Sequence, residues 1–354
     1  MAPWRAAGCA ALVVACARGE DGAADVLVPS TLSILFAAPF LDYSLNMHEV
    51  QSGFLWALEE VNNSTEVLPS TVLTSSSFMT RCTMLSGADV GNAWVNATAD
   101  EELGGIVGGS CSDSSIGLSF PSYRKNVAQV SYGSTVADLS DKSKYPLFNR
   151  AMAPDDVMIS AVVDFMAEHA YENAGCLTNQ DSTFLYSLLD ALNRIASHTL
   201  DMSILTAGDD GSDLITAWED RVVGTDFGSN LRVWILWQSG GAITSFFDYL
   251  DANYTEVASN SLFICPDTLD NRFLEVPPRM DVVYFRPKAV NTDAFEAKWQ
   301  ADLPAHLREN SPLRYAVGNG STAASRETFY LHSYVAYAYD ATWALARRRS
   351  GEGG

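Results

Sequence analysis

From Leu32 onward, short apolar runs alternate with longer stretches in which apolar residues recur every three or four positions. The runs at 32–38, 105–107, 127–132, 175–177, 202–205, 231–237, 262–265 and 282–285 read as strands. Met47, Val50, Phe54, Leu58 and Val61 fall on one face of a helix, and Asn46 followed by Glu49 reads as its capped start. Further helical stretches lie at 156–169, 184–197, 213–223, 242–251, 292–301 and 334–348. Strand–helix alternation of this kind predicts parallel sheets with helices on both faces. Ligands of such sheets sit beyond the carboxyl ends of the strands, so function is sought in the loops that follow strands.

Length and charge narrow the picture. A chain of 354 residues exceeds one ordinary core and implies about two lobes. Acidic residues outnumber basic ones 43 to 22, for a net charge of −21, and the only basic run is Arg347, Arg348 and Arg349. That field repels polyanions, so nucleic acid is not an expected partner. Near the start, Arg5 precedes a small apolar run that ends in Ala15, Cys16 and Ala17, which predicts a cleaved secretory signal over 1–17. A rival reading makes Cys16 a lipidated residue of a bacterial lipoprotein. Sequons at Asn62, Asn63, Asn96, Asn253 and Asn319 favour a eukaryotic secretory route with glycosylation at Asn63, Asn96, Asn253 and Asn319. Beyond the signal remain Cys82, Cys111, Cys176 and Cys265, with no C-x-x-C spacing to indicate zinc or a redox dithiol. No later run is long enough to span a bilayer.

Candidate chemistry concentrates at two strand ends. Residues 104–115 make a glycine-flanked strand that runs into a hydroxyl-rich turn opening a helix, with Ser110, Ser112, Ser114 and Ser115. Helix-start amides and hydroxyls suit a carboxylate; equally, Ser112 or Ser114 can cap the helix. The next strand also ends in hydroxyls, Ser131, Ser134 and Thr135, and two such ends can clamp one carboxylate. No P-loop, G-x-S-x-G or H-E-x-x-H pattern is present, and the five histidines are scattered, so neither catalysis nor a metal or cofactor is expected.

The run at 130–150, which contains Ser131, Tyr132, Gly133, Ser134, Thr135, Asp138, Leu139, Ser140 and Asp141, resembles the ligand-binding region of class C G-protein-coupled receptors. Metabotropic GABA and glutamate receptors are the models. The late segment Ala338, Tyr339, Asp340, Ala341, Thr342, Trp343 is similar to the same family's final helix, and the resemblance covers most of 30–349. It implies an α/β fold of the bilobed Venus flytrap kind, with two doubly wound parallel-sheet lobes joined by a hinge, as in type I periplasmic binding proteins. Lobe 1 is expected at 28–150, lobe 2 at 151–280, a return to lobe 1 at 281–349 and a tail at 350–354. A small ligand would lie in the cleft, and closure would be the signal.

The resemblance assigns roles residue by residue. Ser112 and Thr135, with Ser134 beside them, match positions whose hydroxyls hold the ligand carboxylate. Asp155 matches an acid facing the ligand's amino group, and its competing role is to stabilise a helix start. Asp267 matches a second such acid, or is a solvated turn residue. Phe184, Tyr186 or Trp237 would pack on the ligand, although a tryptophan at a strand end is commonly core. A disulfide between Cys82 and Cys111 is implied, with Cys176 and Cys265 as small buried thiols. Tyr334 and Met152 stand where GABA-type receptors carry a glutamate and a histidine, and the basic residues that bind a glutamate side chain are not evident in 47–54, so a small α-amino acid fits better than GABA or glutamate. Family members continue through seven membrane helices, so the chain reads as part of a longer cell-surface receptor that can dimerise and meets the membrane through a C-terminal region. The alternatives are a secreted or lipid-anchored amino-acid-binding protein of a transporter, or the ectodomain of a receptor guanylate cyclase.

Overall fold

The longest apolar run forms strand β1 (Ser30–Ala38), buried from Leu32 onward and therefore covered on both faces. In this computed structural model, residues 30–39, 47–179, 187, 191, 201–207, 212–222, 231–237, 240–265, 276–285, 292–302, 304 and 333–350 are described. The expected signal at 1–17, Asn46, Phe184, Tyr186, Asp267, Asn319 and the tail beyond Ser350 lie outside them.

Helix α1 (Met47–Asn62) buries Met47, Val50, Phe54, Leu58 and Val61, the face its periodicity predicts. Strand β2 (Thr71–Met79) follows, a strand the hydrophobic pattern does not announce. It is an edge strand carrying three consecutive serines, and Leu73 is its one fully buried residue. Helix α2 (Met84–Ala97), strand β3 (Glu102–Val107), helix α3 (Ser112–Lys125), and strands β4 (Gln129–Ser131) and β5 (Phe148–Arg150) complete this part. The sheet order is β2-β1-β3-β4-β5, with every pair parallel.

Helix α2 escapes the hydrophobic pattern because glycine makes up half its buried face, Gly87 and Gly91 beside Trp94 and Val95. A Cβ on Gly87 would lie 2.1 Å from the Ser114 carbonyl oxygen, and one on Gly117 of α3 would lie 2.0 Å from that of Met84. The two helices therefore touch backbone to backbone.

The second sheet has the order β10-β9-β8-β6-β7, again parallel throughout. Its elements are α4 (Asp155–Glu168), β6 (Asn173–Asn179), β7 (Asp201–Ala207), α5 (Ser212–Val222), β8 (Val233–Trp237), α6 (Gly240–Asn253), α7 (Thr255–Ser259), β9 (Leu262–Cys265) and β10 (Asp281–Tyr284). Alternation along β8 feeds two cores. Trp234 and Leu236 pack with Trp218 of α5 and with Phe246 and Phe247 of α6. Val233, Ile235 and Trp237 pack with Met158, Ile159 and Val162 of α4.

The chain divides into two compact units. One holds the described residues up to Gly133, Tyr145–Ala151 and those from Asp293 on; the other holds Ser134–Lys144 and Met152–Thr292. The expected return at 281 is thus corrected. Asp281–Tyr284 pairs with Leu262–Cys265 in the second sheet, and the first unit resumes only at Asp293. Another departure is that 134–144, expected in lobe 1, groups with the second unit.

Helices α8 (Thr292–Asp302) and α9 (Ser333–Ser350) bring the chain back to the first unit. Lys298 of α8 pairs with Glu60 of α1 at 2.8 Å, donates to the Tyr339 hydroxyl of α9 at 2.9 Å and lies 4.9 Å from the Trp56 ring centre. Arg349 at the end of α9 donates to the Leu103 and Gly104 carbonyls at the start of β3. Among the described residues, no helix is long and apolar enough to cross a membrane.

Candidate ligand-binding site

In the first unit, the carboxyl ends of β3 and β4 meet. Gly108 has φ +129°, and a Cβ there would lie 2.4 Å from the Ala37 oxygen, so glycine lets the loop leave β3 against β1. At the neighbouring strand end, a Cβ on Gly133 would lie 2.6 Å from the Ser110 oxygen. The loop after β4 therefore rests directly on the serine turn.

The turn is held from behind. Gln129 Nε2 donates to the Gly108 oxygen at 3.0 Å and to the Ser115 oxygen at 3.2 Å. The Gly109 oxygen accepts from Ser131 Oγ at 2.7 Å and from Ser115 Oγ at 3.2 Å. The Cys111 oxygen accepts from Ser114 Oγ at 2.8 Å and from the Ser115 amide at 3.0 Å. Tyr132 stacks on Phe36, and its hydroxyl donates to the Ala37 oxygen at 3.0 Å. Burial pushes the Tyr132 phenol far above its usual range, with the Ser110 hydroxyl pulling it partly back.

Helix α3 starts without a side-chain cap: its N-cap position is Cys111, and the Ser114 hydroxyl is spent on the Cys111 oxygen. That removes Ser114 as the cap and leaves Ser112, half-buried, as the first residue of the helix. Cys111 is bonded to Cys82, the pairing the resemblance implies, which ties the turn to the chain just ahead of α2. Cys176 and Cys265 are free and buried, and burial raises each thiol to about 12.

The second unit gathers other candidates. The Thr135 oxygen accepts the Asp155 amide at 2.8 Å, which joins the segment after Gly133 to the first residue of α4. Ser134 and Asp155 are buried and Thr135 is half-buried. The acids of the neighbouring motif have structural work. Asp138 pairs with Lys144 at 2.6 Å, and Ser143 holds the Asp141 carboxyl below its usual range through side-chain and backbone donors.

Trp237 requires a correction. Its side chain is 1% exposed and packs under α4 with Val233 and Ile235, because its position in β8 turns it to that inner face. It is part of the core between β8 and α4. Sequence reasoning also missed Gln129, and it grouped Ser131 with the carboxylate-clamping hydroxyls, whereas the Ser131 hydroxyl donates to the Gly109 oxygen. The signal available was two polar residues at alternate positions of an otherwise apolar strand, which point the same way.

Of the sequon asparagines, Asn62, Asn63, Asn96 and Asn253 are exposed. Asn62 is engaged: its carboxamide accepts the Leu73 amide at 2.8 Å and donates to the Leu73 oxygen at 2.9 Å. Among the described residues, no group of histidine, cysteine or carboxylate side chains is arranged to hold a metal ion.

Two five-stranded parallel α/β sheets are the architecture of type I periplasmic binding proteins. The substrate-binding protein of an ABC transporter from Desulfitobacterium hafniense, solved in complex with Leu, superposes with a TM-score of 0.62 over 91% of this chain and 84% of its own, at 16% identity. The family described as "Receptor family ligand binding region" matches residues 49–347, and the chain belongs to it. Metabotropic glutamate receptor 4 of Rattus norvegicus is 25% identical over 155 residues, 38% of this chain and 17% of that receptor. Metabotropic glutamate receptor 8 of Homo sapiens is 28% identical over 83 residues, 23% of this chain and 9% of the receptor. The metabotropic glutamate receptor-like protein E of Dictyostelium discoideum is 25% identical over 154 residues, 43% and 18% of the two chains. The chain thus spans less than a fifth of the length of these receptors.

Proposed function

We propose that the chain is the extracellular ligand-binding part of a class C-like G-protein-coupled receptor, which takes a small amino acid or analogue between its two units and signals by their closure. The observation that carries this reading is the serine turn, whose Gly108, Gly109 and Cys111 carbonyls are all engaged by donors of the protein itself. A carboxylate approaching such a turn meets amides and hydroxyls and is spared carbonyl repulsion. In this reading Ser112, Ser134 and Thr135 hold the carboxylate and Asp155 answers the ammonium. Asp267 is its second acid. A zwitterion held from both units favours the closed arrangement through contacts the open one lacks.

The exposed apolar side chains of Met84 and Leu85 on α2, and of Phe120 and Tyr123 on α3, support a second copy of the chain as partner. The extracellular reading also carries glycans on Asn63, Asn96, Asn253 and Asn319, and attachment to the membrane through a region outside this sequence.

Calorimetric titration of the common amino acids into wild type and a Ser112→Ala/Thr135→Ala variant tests the reading. Loss of two hydroxyl bonds to a charged group weakens binding by about a hundred-fold or more, with the melting temperature largely retained. Equal affinity in the two proteins would remove the carboxylate assignment.

A further inference from the structure

Gln129 and Ser131 are fully buried, behind the serine turn. Both spend their donors on that turn. Gln129 Nε2 reaches the Gly108 oxygen and the Ser115 oxygen, which links the turn to the first turn of α3. Ser131 Oγ reaches the Gly109 oxygen at 2.7 Å and also accepts the Gly133 amide at 3.2 Å, which links the turn to the loop resting on it. The C=O and N–H of a trans peptide unit point in opposite directions. With the Gly109 oxygen held toward Ser131, the Ser110 amide is directed to the other side. The Cys111 oxygen, held by Ser114 and Ser115, does the same for the Ser112 amide.

The chemistry of Gln129 strengthens this reading. Its Oε1 is buried with no hydrogen-bond partner. A buried amide with an unmet acceptor costs stability relative to an apolar side chain of similar shape. The side chain is therefore poorly explained as a stabiliser and well explained as a double donor. We infer that Gln129 and Ser131 are positioning residues, which fix the turn against α3 and against the loop after β4 so that the Ser110 and Ser112 amides and the Ser112 hydroxyl present one anion-recognising surface. The inference rests on the ligand reading above for its purpose, though not for its geometry.

Gln129→Met and Ser131→Ala remove the donors without touching Ser112, Thr135 or the disulfide. Amide hydrogen exchange of unliganded protein and calorimetry with the common amino acids test them together. In both variants, exchange over residues 108–114 quickens and affinity for whichever amino acid binds wild type falls, each by about ten-fold, the worth of one or two net hydrogen bonds. Exchange over β8 stays as in wild type, which confines the loosening to the turn. Unchanged exchange over 108–114 overturns the inference, as does quickened exchange with undiminished affinity, which would make the two residues merely structural. A wild type that binds none of the amino acids defeats the proposed function, while the exchange result still decides whether Gln129 and Ser131 hold the turn.

Discussion

Asn62 and Asn63 sit side by side in overlapping sequons, yet the fold gives them different work. The Asn62 carboxamide closes a two-bond bridge to the backbone of Leu73, so it extends the hydrogen bonding of an edge strand. Asn63 is exposed. In protein secreted from eukaryotic cells behind a heterologous leader, glycopeptide mass spectrometry finds the glycan on Asn63 and not on Asn62. Asn62→Ala leaves two backbone groups of a buried residue without these partners and lowers stability by about 1–3 kcal/mol, read from urea unfolding. Sequence alone could name both asparagines. It could not rank them, because the difference lies in a strand eleven residues away.

At the scale of elements, the contact of α2 with α3 governs the geometry of the serine turn. Gly117 lies against the backbone of Met84, with the Met84 oxygen 2.0 Å and the Ala88 nitrogen 2.7 Å from where a Cβ would be. Backbone cannot yield as a flexible side chain does, so Gly117→Ala must push the helices apart. The expected loss is about 1–3 kcal/mol in urea unfolding, typical of overpacking. Elements with an ordinary period were legible: α1 buries all five residues of its predicted face. Those whose buried face is glycine, as in α2, or whose place is at an edge, as in β2 and β5, leave too few apolar side chains for a pattern. The serine turn was visible as composition, since glycines and serines cluster there. The Gln129 and Ser131 donors behind it were not, because they belong to a neighbouring strand whose pairing with β3 sets their reach.

For the whole molecule, two buried thiols give a signature in the response to alkali. Burial raises Cys176 and Cys265 from the ordinary value of 9.0 to about 12. Above that ordinary value the unfolded chain sheds these protons while the native chain keeps them, so stability is intact below about pH 9 and falls as pH rises toward 12. The slope is about 1.4 kcal/mol per pH unit for each thiol. Urea midpoints measured from about pH 8 to 11 should therefore fall more steeply for wild type than for Cys176→Ala/Cys265→Ala. Equal slopes would show that the thiols ionise alike in the folded and unfolded chains. By itself the sequence determined the α/β class, the parallel sheets and the strand-end loop where hydroxyls collect, because periodicity and glycine content act within a few residues. Only the tertiary structure decided that Trp237 belongs to the core, that β10 closes the second sheet and that Gln129 and Ser131 fix the turn. Each of these depends on register between segments distant along the chain, and an alternation of apolar and polar residues records burial without recording the neighbour that provides it.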